Sequence, residues 1–152
     1  MGEVYFYHLT RTPLEDTLRT LLEKSLSAGW RVAVRGRHAQ VMERLDAQLW
    51  LRPEASFLPH GLSGGPHDAD QPVLLTTDRE MPNGATALVS IDGADVTADE
   101  AEPLARVSIL FDGHDTGAVE TARAQWRSLT GSGLKAKYWS EESGRWEMKR
   151  ES

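Results

Sequence analysis

Three consecutive segments constrain this chain more than anything else in it: VYFYHL, a helix-patterned stretch, and WRVAV. VYFYHL, at 4–9, is aromatic, β-branched and nearly continuous in apolar character, as a central strand covered on both faces must be. The next segment sets Leu14, Leu18, Leu21, Leu22 and Leu26 on one stripe of a helix. Thr12 stands where a cap belongs, Pro13 in the first turn, and Glu15 where it would close a capping box. Gly29 suits a left-handed terminating residue. WRVAV, at 30–34, then reads as the second strand. A strand, a helix of about sixteen residues and a short strand form a right-handed βαβ unit, so the two strands are expected to be parallel.

The rest of the pattern continues in the same style. A second helix is expected over 38–50, with Val41, Leu45 and Leu49 as its core stripe, Met42 beside them, and Arg52 and Pro53 ending it. Residues 54–72 are rich in Pro and Gly and predict a long surface loop, with a short strand at 56–58. Such loops are uncommon inside compact domains and often functional. Strands are expected at 73–77, 85–91 and 107–111, with a turn at 82–84. Asp92, Asp95, Asp99, Glu100 and Glu102 predict a solvated loop or short helix without an obvious basic complement. A third helix, capped by Asp115 or Thr116 and stopped by Gly131 and Gly133, would bury Val119, Ala122, Trp126 and Leu129. Residues 134–139 alternate as a strand, and SEESG turns into a tail ending RWEMKRES. No internal repeat or second domain shows, so 1–152 is expected to be one domain.

Composition excludes several chemistries. The chain has no cysteine, so a disulfide scaffold, a cysteine zinc site, an iron–sulfur cluster and a thiol nucleophile are all ruled out. No stretch approaches the ~18 apolar residues of a membrane span, and MGEVYFYHLT lacks the pattern of a signal peptide, so a cytoplasmic protein is expected. A net charge of -6 argues against a dedicated nucleic-acid binder. The turn after the first strand is TRTP, with no glycine, and GSGLK at 131–135 comes after a helix, so no phosphate-cradling loop is present. His60 and His67, beside Asp68 and Asp70, form only a weak metal pattern, and His8 reads as a packed, hydrogen-bonded residue. No G-x-S-x-G elbow exists. Neither cofactor nor metal is expected.

Aromatic and basic residues carry more information. Trp50, with Leu51, Pro53, Phe57 and Pro59, reads either as an apolar interface ledge or as a loop tucked onto the body. From residue 123 onward the chain holds Arg123, Arg127, Lys135, Lys137, Arg145, Lys149 and Arg150. Arg123 and Arg127 share a helix face, with Trp126 between them turned toward the apolar stripe. An arginine pair around an apolar depression suits a peptide with acidic and aromatic residues and a free carboxylate. It equally suits stacked single-stranded nucleic acid, or a plain solvated face.

Taken together, VYFYHL, ERLDAQLWLRPEASFLPHG at 43–61, RVSILF, and the span from ARAQW to YW resemble the chi subunit of bacterial DNA polymerase III. The block at 43–61 is the most specific part, and weaker similarity covers nearly the whole chain. The resemblance implies a three-layer α/β fold, with a mostly parallel central sheet flanked by helices, similar to nucleotide-binding domains but without a phosphate loop. It implies a non-catalytic accessory subunit of the clamp-loader complex, with no cofactor and no membrane contact. Its implied partners are the psi subunit or an equivalent, and the acidic C-terminal tail of single-stranded DNA-binding protein, with DNA met mostly indirectly. Trp50, Pro53 and Phe57 match the psi-facing surface. Arg123, Trp126 and Arg127 match the tail-binding side, where Val119 takes the place of an expected lysine. The rival readings are a small α/β hydrolase or nucleotide-binding enzyme, and a direct binder of single-stranded DNA.

Overall fold

A computed structural model of the chain describes residues 3–50 and 59–152. The elements run β1 (Glu3–Leu9), α1 (Leu14–Ser27), β2 (Val32–Arg35), α2 (Ala39–Trp50), β3 (Gly61–Leu62), β4 (Val73–Thr76), β5 (Ala87–Ser90), α3 (Ala98–Ala101), β6 (Arg106–Asp112), α4 (Thr116–Gly131), β7 (Lys135–Ser140) and β8 (Glu147–Glu151). A 3-10 turn at Asp68–Asp70 precedes β4. The strands form one sheet in the order β3-β4-β2-β5-β6-β1-β7-β8. Every pairing is parallel except β7 with β8.

Handedness decides which helix covers which face. From β1 the chain crosses toward β2 and β4, whereas from β6 it crosses past β1 to β7. Right-handed crossovers in opposite directions place their helices on opposite faces. Accordingly Leu18 and Leu22 of α1 and Met42, Leu45 and Leu49 of α2 pack with Val32, Val34, Val73, Val89 and Leu110. Ala101 of α3 and Ala122, Trp126 and Leu129 of α4 pack with Val4, Phe6, Val107, Ile109 and Phe111 on the other side. The period of two along each strand separates the clusters: in β6, Val107, Ile109 and Phe111 face α4, and Leu110 faces α1. Each fully buried leucine or phenylalanine contributes about 1.5–3 kcal/mol.

Several expectations change at this level. Gly29 ends α1 with φ of 84°, as expected, but Thr12 does not cap the helix. Pro13 holds the cap position without a side-chain hydrogen bond, and the Thr12 hydroxyl donates instead to Glu141. Met42, not Val41, is the buried residue in the first turn of α2. Asp115 caps α4 by accepting the Ala118 N–H at 3.2 Å. The segment expected to be a tail supplies β8, antiparallel to β7.

The acidic segment has a basic complement after all. Arg35, whose side chain is 4% exposed, donates to Glu100 and to the carbonyls of Asp78, Arg79 and Asp95. Arg79 pairs with Glu100 at 3.0 Å and Asp95 at 3.2 Å. Asp92 accepts the backbone N–H groups of Arg37 and His38. The arginines lie on other strands and loops, which is why spacing along the acidic segment concealed them. The expected strand at 56–58 and the helix terminators Arg52 and Pro53 lie outside the described residues.

Candidate functional site

Helix α4 is amphipathic across its width. Ala122, Trp126 and Leu129 enter the core, so Arg123 and Arg127, one turn apart, remain exposed on the solvent side. The Trp126 ring lies 5.3 Å from that of Phe6 and 6.1 Å from that of Tyr138, spacings typical of tilted aromatic contacts. Beside it opens a groove of about 550 Å³. Trp126 and Tyr138 line its apolar part, Arg123 and Arg127 stand on the helix side, and Lys149 and Arg150 of β8 also line it. The Arg150 guanidinium lies 5.3 Å from the centroid of the Trp126 ring. Lys149 has Glu147 at 3.8 Å. Among the described residues, Arg123, Arg127 and Arg150 have no ion-pair partner.

A second recess of about 740 Å³ adjoins this groove and shares His8, Arg123 and Glu142 with it. It lies at the carboxyl ends of β1 and β6, lined by Thr10, Arg11, Gly113 and His114. These neighbouring strands send their helices to opposite faces, so the recess sits at a topological switch point, where open α/β sheets bind ligands. Val119 and Arg123 line this recess, whereas Trp126 and Arg127 line the groove. The four expected tail-binding residues therefore fall in two connected recesses that meet at Arg123.

His8 stands between the two. Its Nδ1 shares a 2.6 Å hydrogen bond with the Tyr138 hydroxyl, and its Nε2 lies 3.5 Å from Glu142. Burial pushes the Tyr138 pKa up, Arg123 pulls it down and Glu142 adds to the rise; burial prevails, and the phenol stays protonated.

At the edge of this recess the loop after β1 turns three backbone N–H groups toward one point. Thr10, Arg11 and Thr12 each donate to Glu141 Oε2 at 2.9 Å, and the Thr12 hydroxyl donates to Glu141 Oε1 at 2.6 Å. Successive inward-facing N–H groups make an anion-binding concavity. Burial alone would raise the Glu141 pKa, but the Thr12 hydroxyl and the backbone donors of Thr12, Arg11 and Thr10 outweigh it and hold the group at about 2. In doubly wound α/β sheets the first βα turn is where a phosphate binds; here the chain's own carboxylate takes the donors of that turn.

The other candidate surface begins at Trp50, the last residue of α2, which is 48% exposed. Its ring lies 4.2 Å from that of His60 at 30°. The His60 side chain is buried, with Nε2 3.2 Å from Asp46 Oδ1. Pro53 and Phe57, expected beside Trp50, lie outside the described residues. Helices α2 and α4 cover opposite faces of the sheet, so the two candidate surfaces are separated by the sheet itself.

Not all late basic residues converge on the groove. Lys137 pairs with Glu151 at 3.9 Å and lies over the Tyr5 ring, on the face away from α4. Neither Lys135 nor Arg145 lines the groove. Sequence reasoning missed Tyr138 as a groove residue. The alternation of 134–139 held the signal, since it places Ala136 and Tyr138 on the face packed by Trp126. Among the described residues no group of three or more His, Asp or Glu side chains is placed to hold a metal ion, and no helix is long and apolar enough to cross a membrane.

Known proteins share this sequence pattern. A family model described as DNA polymerase III chi subunit, HolC matches residues 1–137. A protein of Rickettsia prowazekii (strain Madrid E), named as a probable DNA polymerase III subunit chi, is 27% identical over 96 residues, which is 63% of this chain. The aligned part spans 58% of the length of that relative.

Proposed function

The chain belongs to the DNA polymerase III chi subunit family, and from that premise we propose that it is a non-catalytic accessory subunit of the replicative polymerase. It joins the clamp-loader assembly to the C-terminal tail of single-stranded DNA-binding protein. The observation that carries this reading is the groove beside α4. Among the described residues the guanidinium groups of Arg123, Arg127 and Arg150 have no ion-pair partner; they stand around Trp126 and Tyr138, with Glu142 also in the lining. Unneutralised cations beside an aromatic floor call for a ligand with carboxylates and an apolar side chain. In this reading Arg123 and Arg127 meet the terminal carboxylate and acidic residues of the tail. Its aromatic residue lies against Trp126, and Val119 borders the entrance from the neighbouring recess.

Trp50, with Pro53 and Phe57, faces a psi subunit or its equivalent. Its position on the opposite side of the sheet supports simultaneous contact with two partners, as an adaptor requires. DNA is met mostly through the coating protein, in keeping with the net charge of -6. A cytoplasmic location follows from the same role. The nucleotide-enzyme reading is disfavoured because Glu141 occupies the backbone donors of the β1–α1 loop that a phosphate would need.

Calorimetric titration with a peptide of about ten residues, taken from the C-terminus of single-stranded DNA-binding protein, tests the proposal. Wild type binds, and Arg123→Ala weakens binding at least several-fold with an unchanged unfolding curve, as expected for loss of a charge-assisted contact. Equal affinities, or no binding by wild type, defeat it.

A further inference from the structure

The family match ends at residue 137, yet much of the groove comes from beyond it. Tyr138, Ser140, Glu142, Lys149 and Arg150 all line it. Strand β8 is the reason. It pairs antiparallel to β7, with Arg150 opposite Tyr138 and Met148 opposite Trp139. Directly opposed residues share a face, so Arg150 stands on the α4 side with Tyr138. The register shift at Tyr138/Trp139 matters here: Tyr138 opposes Arg150 and Trp139 opposes Met148, so Lys149 is the extra residue of β8 between the two pairs. Lys149 and Arg150 are consecutive, which in a regular strand would send them to opposite faces; with the shift, both line the groove.

From this we infer that the β8 hairpin is a second cationic wall of the groove, and that Lys149 and Arg150 bind the acidic residues of the ligand opposite Arg123 and Arg127. The inference rests on the tail-binding reading and adds residues and a ligand requirement to it. With cations on two sides, the groove selects a peptide carrying several carboxylates along its length, beyond the single terminal one. Arg150 has a second role in the free protein. Its guanidinium covers the Trp126 ring, so it shields the apolar floor until an aromatic side chain of the ligand replaces it or stacks against it.

The wall is anchored independently of the groove. Glu141, immediately after β7, is held by the β1–α1 loop, and the Arg11 guanidinium donates to the Glu142 carbonyl at 3.3 Å. At the other end Ser152 N–H donates to the Ala136 carbonyl, and the Ala136 N–H donates to the Ser152 hydroxyl, both at 2.9 Å. Lys149 and Arg150 can therefore be changed without removing what holds the hairpin.

The test uses the full chain and the same ten-residue tail peptide, with wild type, Arg123→Ala, a Lys149→Gln/Arg150→Gln double variant and a charge-preserving Lys149→Arg/Arg150→Lys double variant. The glutamine variant is expected to bind about fivefold more weakly at low salt, with a shallower decline in affinity as salt rises. The charge-preserving variant is expected to retain most of the affinity and the steeper salt dependence. If the glutamine variant binds as wild type does while Arg123→Ala is weakened, the second wall is refuted and the tail-binding reading stands. If wild type does not bind the peptide, both fail. If both double variants weaken equally, packing of the hairpin, not its charge, is responsible, and the inference is overturned.

Discussion

Glu141 engages Thr12 twice, accepting its hydroxyl at 2.6 Å and its backbone N–H at 2.9 Å. The contact joins two segments far apart in sequence, the turn after the first strand and the start of the C-terminal hairpin. It converts a loop that would otherwise present unpaired N–H groups into a satisfied one. It also occupies the first βα turn, the position where doubly wound sheets of nucleotide-binding proteins hold phosphate.

The pH dependence of stability should carry the signature of this contact. The Glu141 pKa lies at about 2 in the fold against 4.5 when unperturbed. A depressed carboxylate stabilises the fold fully above its unfolded pKa, and that contribution disappears as pH falls through the folded value. Glu141→Gln is expected to cost about 1.5–3 kcal/mol near neutral pH, the range of a hydrogen bond to a charged group. Urea unfolding at a series of pH values should show wild type and variant converging between pH 4.5 and about 2. A constant difference across that window would contradict the assignment.

Gly113 is a steric requirement of the same region. A Cβ there would lie 2.1 Å from the His8 ring, and imidazole cannot bend away as a long flexible chain can. Gly113→Ala is therefore expected to destabilise the chain by about 1–3 kcal/mol, as overpacking does. It should also break the His8–Tyr138 hydrogen bond, visible as a shifted His8 ring resonance by NMR. At Gly36 the nearest neighbour is the Sδ of Met42. That flexible side chain can move, so Gly36→Ala should be the milder change in the same thermal-melt comparison.

The two acids that hold Arg79 should differ sharply in their contribution. Glu100 also serves the buried Arg35, whereas the Asp95 side chain is 68% exposed and, among the described residues, its carboxylate pairs with the exposed Arg79 alone. Glu100→Ala leaves a buried guanidinium uncompensated and is expected to cost about 3–5 kcal/mol. Asp95→Ala removes a surface pair worth at most about 1 kcal/mol. Similar losses for both in chemical denaturation would show that Arg35 does not depend on Glu100.

Phe6 links the core to the groove. It is fully buried and supports Trp126 at 5.3 Å and Tyr138 at 6.4 Å. Phe6→Ala is expected to cost about 3–5 kcal/mol. At a temperature where the variant is still folded, it should also weaken tail-peptide binding, because the groove floor loses its backing. Unchanged affinity in the folded variant would mean that the floor is held by other contacts.

How much of this was legible in the residues differs by element. The βαβ start was fully so, because a leucine stripe between two apolar runs has one economical solution: parallel strands with the helix across them. Asp115 as a cap and Gly29 as a terminator were readable for the same local reason, since each acts within one turn of its own position. The capping role given to Thr12 was not borne out. Its hydroxyl serves as a donor to a carboxylate 129 residues away along the chain, a partner that no local spacing reveals.

The arginine pair on α4 could be read from i, i+4 spacing, and the resemblance to chi proteins rested on contiguous blocks. The sequence by itself therefore determined the βαβ start, the three long helices with most of their buried positions, and the family. What only the tertiary structure decided is what stands across from what. Sheet order sets β1 between β6 and β7, opposite crossovers set α2 and α4 on opposite faces, and antiparallel pairing brings Lys149 and Arg150 to the groove. Those outcomes depend on non-local pairing and on the register of an edge strand. Hydrophobic period reports which face of an element is buried, but it carries no information about its neighbour.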